Sequence, residues 1–286
     1  MEVWVMAVSP VKVGVLKLGC VGTAPLLEYL LDERADRGDI KVRVVSSGAK
    51  LDPEEAEDVA KGILQFKPNF AIVVSPNAAL PGPTKAREIL KEAGLPVLVV
   101  SDLPAKKAAK DMDAKGFGYF VVEADSMIGA RREFLDPVEM ACFNADIIKV
   151  LALTGVFNLL VKCVDGIIQA FKEGKQPELP KIVVDKAKAL KEAGYQNPYA
   201  YAKAMAAFEA ARRVGDLTTE GCFKIQEREV YIPIVAAAHE LMRYASKLAE
   251  EARETEKSED MVLRKPHGKD GSLLSKVKLM EKPEKK

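Results

Sequence analysis

The sequence predicts an α/β protein. A mostly parallel sheet domain over residues 1–128 is followed by a helix bundle with a small β-sheet over residues 129–286. Three observations carry this. Short runs rich in Val and Ile alternate with helical stretches through the first half, the rhythm changes after Glu123, and alanine recurs densely around residue 205. Runs that are apolar throughout suit strands buried on both faces, and strand–helix alternation builds a parallel sheet covered by helices.

The runs are residues 11–16, 40–45, 70–74, 96–100 and 119–122. After the first, Leu26, Leu27, Leu30 and Leu31 form one apolar stripe at helical spacing. Asp52-Pro53-Glu54-Glu55 opens the second helix with a capping carboxylate, a proline where no N–H is needed and acids near the positive end of the dipole. Thr84 is expected to cap the third helix and Gly94 to end it. Asp136-Pro137-Val138-Glu139 repeats the capping signature and starts a helix reaching Leu153. A break at Thr154-Gly155 precedes a second helix to about Phe171, Asn197-Pro198 caps a third to about Val214, and residues 235–256 form a fourth. Ala202, Ala204, Ala206, Ala207, Ala210 and Ala211 permit close helix–helix approach and suit subunit contacts. Residues 222–225 and 230–232 are expected as strands flanking a charged turn. Residues 262–264 and 273–279 are expected as a hairpin around Gly268-Lys269-Asp270-Gly271, and residues 182–184 as a further strand of a small sheet.

Composition narrows the function classes. The 286 residues carry 43 basic and 42 acidic side chains, a net charge of +1. No general nucleic-acid footprint and no attraction to an anionic membrane follow from that balance. No run approaches the ~20 apolar residues of a spanning helix. Residues 1–10 lack a basic start and a small-residue cleavage site, so no export signal is expected. Cys20, Cys142, Cys163 and Cys222 form no C-x-x-C pair and are expected as reduced thiols in a cytoplasm.

In an open parallel sheet, ligands bind beyond the carboxyl ends of the strands where strand order reverses. An order of 2-1-3-4-5 selects two loops. One holds Lys17, Gly19, Cys20, Gly22 and Thr23; the other holds Ser75, Asn77, Pro81, Gly82 and Thr84. Both lead into helix N-termini, whose amides suit a phosphate or carboxylate. The same glycines also suit ordinary turns. Asp102 and Asp125 follow the fourth and fifth runs and point to the same edge, and either also suits a helix cap or loop acid. Arg131, Arg132 and Glu133 join the last strand to the bundle, where paired guanidinium groups suit an anionic or pterin-like ligand or a salt-bridged hinge.

Several chemistries are poorly matched. The first loop is G-x-x-G rather than G-x-G-x-x-G, and the second run ends in Ser46-Ser47-Gly48 with no acid for a ribose, which disfavours NAD or NADP. There is no phosphate-binding G-x-x-x-x-G-K-[ST] loop. His239-Glu240-Leu241-Met242-Arg243 ends in arginine where a zinc-binding helix needs its second histidine, so no metal is expected. His239 then suits a helix-packing residue or a substrate contact, and His267 falls in the expected hairpin.

The stretches LKLGCVGTAPLLEYLLDERADR, PNAALPGPTKAREIL, GARREFLDPVEMACFNADIIKVLALTGVF, NPYAYAKAMAA, EGCF and YIPIVAAAHELMR resemble methylenetetrahydromethanopterin dehydrogenase, the archaeal enzyme that uses the deazaflavin coenzyme F-420. The likeness runs from about Val11 to about Glu281. It implies an α/β domain joined to a helix bundle, and a reversible hydride transfer between the methylene pterin and C5 of the deazaflavin. It also implies a homohexamer built as a trimer of dimers, and no metal and no nicotinamide. On this resemblance Lys17, Gly19, Gly22, Thr23, Ser75, Asn77, Pro81, Gly82 and Thr84 are the expected coenzyme-binding residues. Arg131, Arg132 and His239 are expected on the pterin. Asp102, Asp125 and Glu133 are the expected carboxylates facing the methenyl cation. The alternative is a non-catalytic deazaflavin- or pterin-binding protein of the same fold.

Overall fold

The computed structural model of the chain describes residues 9–126 and 136–285. The sheet strands are β1 (Val11–Lys17), β2 (Ile40–Ser46), β3 (Phe70–Ser75), β4 (Val97–Asp102), β5 (Gly118–Val122) and β6 (Lys181–Val184). They lie in the order β2-β1-β3-β4-β5-β6, every neighbouring pair parallel, so the reversal falls between β1 and β3, where an order of 2-1-3-4-5 puts it. β3 and β4 are buried along their whole length, which is why they contain no polar residue before their final Ser75 and Ser101-Asp102.

Alternate side chains along the strands feed two separate cores. Val13, Val15, Ile72, Val74, Leu98, Val100, Phe120 and Val122 face α1 (Thr23–Leu31), α5 (Pro137–Leu153) and α6 (Val156–Lys172). Leu16, Ala71, Val73, Val97, Val99 and Val121 face α2 (Pro53–Gln65), α3 (Pro81–Glu92) and the short α4 (Ala109–Ala114). The first core continues outward into α8 (Pro198–Thr219) and α9 (Arg228–Ser258), whose small faces bury Ala207, Ala211, Ala238 and Ala245. Among the described residues no single helix is long and apolar enough to cross a membrane. The pair α5 and α6 passes by length and composition only, is bent by 70°, and buries its apolar faces in this core.

The expected caps form at three sites, Asp52, Asp136 and Asn197. Asn197 Oδ1 accepts from the amides of Tyr199 and Ala200 at 2.8 and 3.1 Å. Asp52 Oδ1 accepts from the amides of Glu54 and Glu55 at 3.1 and 3.0 Å, and Asp136 Oδ1 accepts from the Glu139 amide at 2.7 Å. Four expectations are corrected. Thr84 lies inside α3, which begins at Pro81 after Leu80. Residues 182–184 do not join a separate small sheet; they form β6 beside β5, and α7 (Lys186–Ala193), capped by Asp185, follows at once. Residues 222–225 and 230–232 are not paired strands. Residues 220–224 form a π-helical turn, and α9 begins at Arg228. Val230, Ile232 and Ile234 alternate like a strand, but Tyr231, Val235, Ala238 and Met242 are the buried set, at helical spacing. Pro233 is the sixth residue of α9, so the helix forgoes the backbone hydrogen bond to the Glu229 carbonyl close to its start. The C-terminal hairpin forms with shorter strands, β7 (Leu263–Arg264) against β8 (Val277–Lys278), plus a bridge between His267 and Leu273.

Candidate functional site

Three turns meet at the carboxyl edge of the sheet. The β1–α1 turn passes through Gly19 in the left-handed region, φ +77°. A Cβ there would lie 3.0 Å from Leu51 Cδ2 and 3.1 Å from Pro76 Cδ, so this turn touches both the β2–α2 and β3–α3 turns. Lys17 ends β1, half-buried, and its carbonyl accepts from the Ser47 amide at 3.1 Å.

The β3–α3 turn is fixed by groups outside it. Ser101 Oγ donates to the Ser75 carbonyl at 2.6 Å and accepts from the Ala78 amide at 3.0 Å. The buried Arg87 guanidinium and the Thr84 hydroxyl both donate to the Ala78 carbonyl. Asn77 Oδ1 accepts from the Ala79 amide at 3.0 Å, closing a local turn. Ser101 and Arg87 were not expected to matter. Ser101 pairs in register with Ser75, a polar ending shared by two apolar strands, and that was the available signal. For Arg87 the sequence offers none.

The helix starts supply fewer free amides than the loops suggested. The amides of Gly22 and Thr23 donate to Asp125 Oδ1 and Oδ2 at 2.7 and 2.8 Å, so α1 already carries an anion at its N-terminus. At α3, Pro81 and Pro83 have no N–H, which leaves Gly82 as the sole amide donor of the first three positions. Two candidate glycines are also packing residues. A Cβ at Gly22 would sit 2.2 Å from Ile147 Cγ2 of α5, and one at Gly82 would sit 2.0 Å from the Leu51 carbonyl oxygen.

Asp125 is fully buried and Asp102, the last residue of β4, is nearly so. Burial and the neighbouring charge of Asp125 push the Asp102 carboxyl well above its usual range, against the pull of the Leu103 amide. Burial pushes Asp125 up to about 6, opposed by hydrogen bonds from Thr23 and Gly22 to its charged form. His239 lies on α9 with its ring stacked on Phe143 of α5, centroids 4.1 Å apart at an interplanar angle of 10°. Burial lowers its pKa, so the ring is neutral at pH 7. Phe143 is one turn before Ile147, which brings His239 near the β1–α1 turn.

The structure thus gathers Lys17, Gly19, Gly22, Thr23, Ser75, Asn77, Pro81, Gly82, Thr84, Asp102 and Asp125 at one edge, with His239 alongside on α9. Arg131, Arg132 and Glu133 lie outside the described residues. His267 is not in this group; it sits at the opposite edge between Glu33 and Asp165. Among the described residues no group of three or more His, Cys, Asp or Glu side chains could hold a metal ion. The edge does fit an organic coenzyme with polar ring edges. Ser75 Oγ is buried without a hydrogen-bond partner, an unusual state for a hydroxyl unless a ligand completes it.

The fold and this edge define an open α/β protein whose candidate ligand edge lies at the strand-order reversal, beside a helix bundle. The chain belongs to the methylene-5,6,7,8-tetrahydromethanopterin dehydrogenase family, whose model matches residues 11–284. It is 61% identical over 274 residues to the F420-dependent methylenetetrahydromethanopterin dehydrogenase of Archaeoglobus fulgidus, covering 96% of this chain and 99% of that one. The protein of the same name from Methanocaldococcus jannaschii is 54% identical over 275 residues, covering 96% of this chain and 99% of that one. A solved structure of F420-dependent methylene-tetrahydromethanopterin dehydrogenase, in complex with methylene-tetrahydromethanopterin and coenzyme F420, superposes with a TM-score of 0.92. Its sequence identity is 49%, over 96% of this chain and 100% of that one.

Proposed function

We propose that this chain catalyses reversible hydride transfer between methylenetetrahydromethanopterin and coenzyme F420, giving the methenyl pterin cation and the reduced coenzyme. The end-to-end likeness to relatives of that name, 61% identical over 96% of the chain, carries this reading. It favours turnover over a non-catalytic binding protein. When bound, the deazaflavin supplies the carbon that accepts the hydride.

The protein's task is to hold two ring systems face to face, exclude water and tolerate a growing positive charge. Residues 1–128 supply the coenzyme side. Lys17 offers a cation, Gly19 a close backbone approach, and Ser75 a hydroxyl with open hydrogen-bonding capacity. Gly22, Thr23, Asn77, Pro81, Gly82 and Thr84 shape the same wall. Residues 129–286 supply the pterin side through Arg131, Arg132 and His239. A neutral His239 stacked on Phe143 is a flat surface that does not repel a cation. Asp102, Asp125 and Glu133 are the acids that balance the methenyl charge.

The chain assembles as a homohexamer, a trimer of dimers. Exposed Tyr199 and Tyr201 on α8, Phe223 on the π-helical turn and Tyr244 on α9 supply aromatic contact surface for that assembly. Its setting is cytoplasmic one-carbon metabolism in methanogenic and related archaea.

Mixing purified protein with methylene pterin and oxidised coenzyme is expected to bleach the deazaflavin absorbance. Absence of bleaching, while an active relative bleaches it in the same cuvette, would sink the assignment.

A further inference from the structure

We propose that Asp125 and Asp102 work as an unequal pair. Asp125 is a positioning residue, charged at pH 7, that fixes the β1–α1 turn, and Asp102 holds a proton in the ligand-free protein and releases it as positive charge forms at the candidate edge. The inference rests on the hydride-transfer activity proposed above.

The hydrogen bonds set the asymmetry. Both oxygens of Asp125 accept backbone N–H bonds, from Gly22 at 2.7 Å and Thr23 at 2.8 Å. That arrangement uses an ionised carboxylate, since a protonated oxygen would point its hydrogen at an N–H. The two amides also belong to the first turn of α1, where the dipole favours an anion. Asp102 has weaker support. Its Oδ1 accepts a single bond, from the Leu103 amide at 2.5 Å. Among the described residues the charged or titratable group that faces it is Asp125, and no lysine, arginine or histidine forms an ion pair with either acid.

Two buried carboxyl groups that repel each other do not both ionise; the proton settles on the one with fewer donors. Asp102 is that one. Burial and the Asp125 charge both push it in this direction, with one hydrogen bond opposing, whereas two amides hold the charged form of Asp125.

The chemistry then balances without a free ion in the cleft. The methylene carbon loses hydrogen with its bonding pair and becomes part of a cation. The coenzyme takes up that hydride and one proton. Asp102 supplies the proton, so a neutral acid beside a neutral pterin becomes a carboxylate beside a cation. In the reverse direction Asp102 recovers its proton.

Infrared difference spectroscopy on the ligand-free protein at pH 7 tests this. Wild type is expected to show a protonated-carboxyl carbonyl band that Asp102→Asn lacks. Addition of the methenyl pterin cation alone to wild type is expected to abolish the band. Asp125→Asn, which removes the repelling charge, is expected to weaken it. Asp102→Asn is expected to lower kcat on the order of 10²-fold or more, the scale of a lost acid–base group, with little change in KM. A wild-type protein that turns over but shows no such band, or keeps it beside the methenyl cation, overturns the proton assignment and leaves the activity standing. Wild type with the band but no turnover overturns the activity instead. The two wild-type measurements do not depend on how the variants fold.

Discussion

Gly82→Ala is expected to cost about 3 kcal/mol of stability, the upper end of what overpacking does in a closed site. Its added methyl would lie 2.0 Å from the Leu51 carbonyl oxygen, 2.8 Å from Leu51 C and 2.8 Å from the Asp52 carbonyl oxygen. All three are backbone atoms, so no rotamer change relieves the contact. Nor can the β2–α2 turn easily retreat. Asp52 is held by its bonds to Glu54 and Glu55, and Leu51 is pinned against Gly19. The start of α3 has to withdraw instead, taking the 75–84 loop with it. Thermal unfolding is expected to fall by roughly 10 °C, at about 2–4 °C per kcal/mol for a chain of this size. In the same protein, assayed well below its melting point, the KM for the coenzyme is expected to rise on the order of tenfold, equivalent to about 1.4 kcal/mol of lost binding. An unchanged melting temperature would show that the turn yields freely and that Gly82 is present for another reason.

Gly82 also marks where sequence reading stops. Its position at the start of a helix in a candidate loop was legible and suggested contact with a ligand, but the backbone it touches belongs to another turn 30 residues earlier. Local features are legible in the sequence for a physical reason. The fully buried strands β3 and β4 have to be continuously apolar, and the amides at a helix start need a nearby acceptor, which Asp52 and Asp136 supply within three residues. Those two facts locate the strands and helix starts; the loops at the reversal follow only once the order 2-1-3-4-5 is taken for the sheet. What depends on pairing across the chain was hidden. Asp125 caps α1 from 103 residues away, and nothing in its own neighbourhood announces that. β6 has four residues and no partner nearby in sequence, so its return to the sheet after α5 and α6 was not visible. The beginning of α9 misled because β-branched residues alternate there by chance, while tertiary burial follows the helical period.

Loss of the His267 clamp is expected to be comparably damaging, and it carries a pH signature. The ring is buried at the sheet edge away from the candidate cleft. Nδ1 meets a Glu33 oxygen, Nε2 meets Asp165 Oδ2 at 2.9 Å, and its backbone amide donates to the other Glu33 oxygen at 3.0 Å. Carboxylates only accept, so both ring nitrogens must carry hydrogen and the histidine is an imidazolium. Burial pulls its pKa down, but hydrogen bonds to Asp165 and Glu33 outweigh that and lift it from 6.5 to about 9, with Arg37 opposing weakly. The contact ties the C-terminal hairpin to α1 and α6. Nearby, the Gly38 amide donates to the Lys269 carbonyl at 2.8 Å, and Lys172 bridges the Asp270 carbonyl and Asp39 at 2.8 and 3.2 Å. Because the folded pKa is raised, this stabilisation is complete below pH 6.5, declines as pH rises, and is gone above about pH 9. At about 1.4 kcal/mol per unit, denaturant unfolding of wild type is expected to lose at most about 3.5 kcal/mol across that window. His267→Leu leaves Glu33 and Asp165 facing each other without the cation between them, and is expected to cost about 2–3 kcal/mol at pH 6. His267→Gln, neutral at every pH, is expected to show no decline between pH 6.5 and 9 from this source. A wild-type stability curve as flat as that of His267→Gln would mean that the ring is uncharged and that Glu33 or Asp165 carries the proton instead. Because the clamp is remote from Lys17, Ser75 and Asp102, kcat measured below the melting point is expected to be unchanged in His267→Gln, which separates holding the fold together from running the reaction.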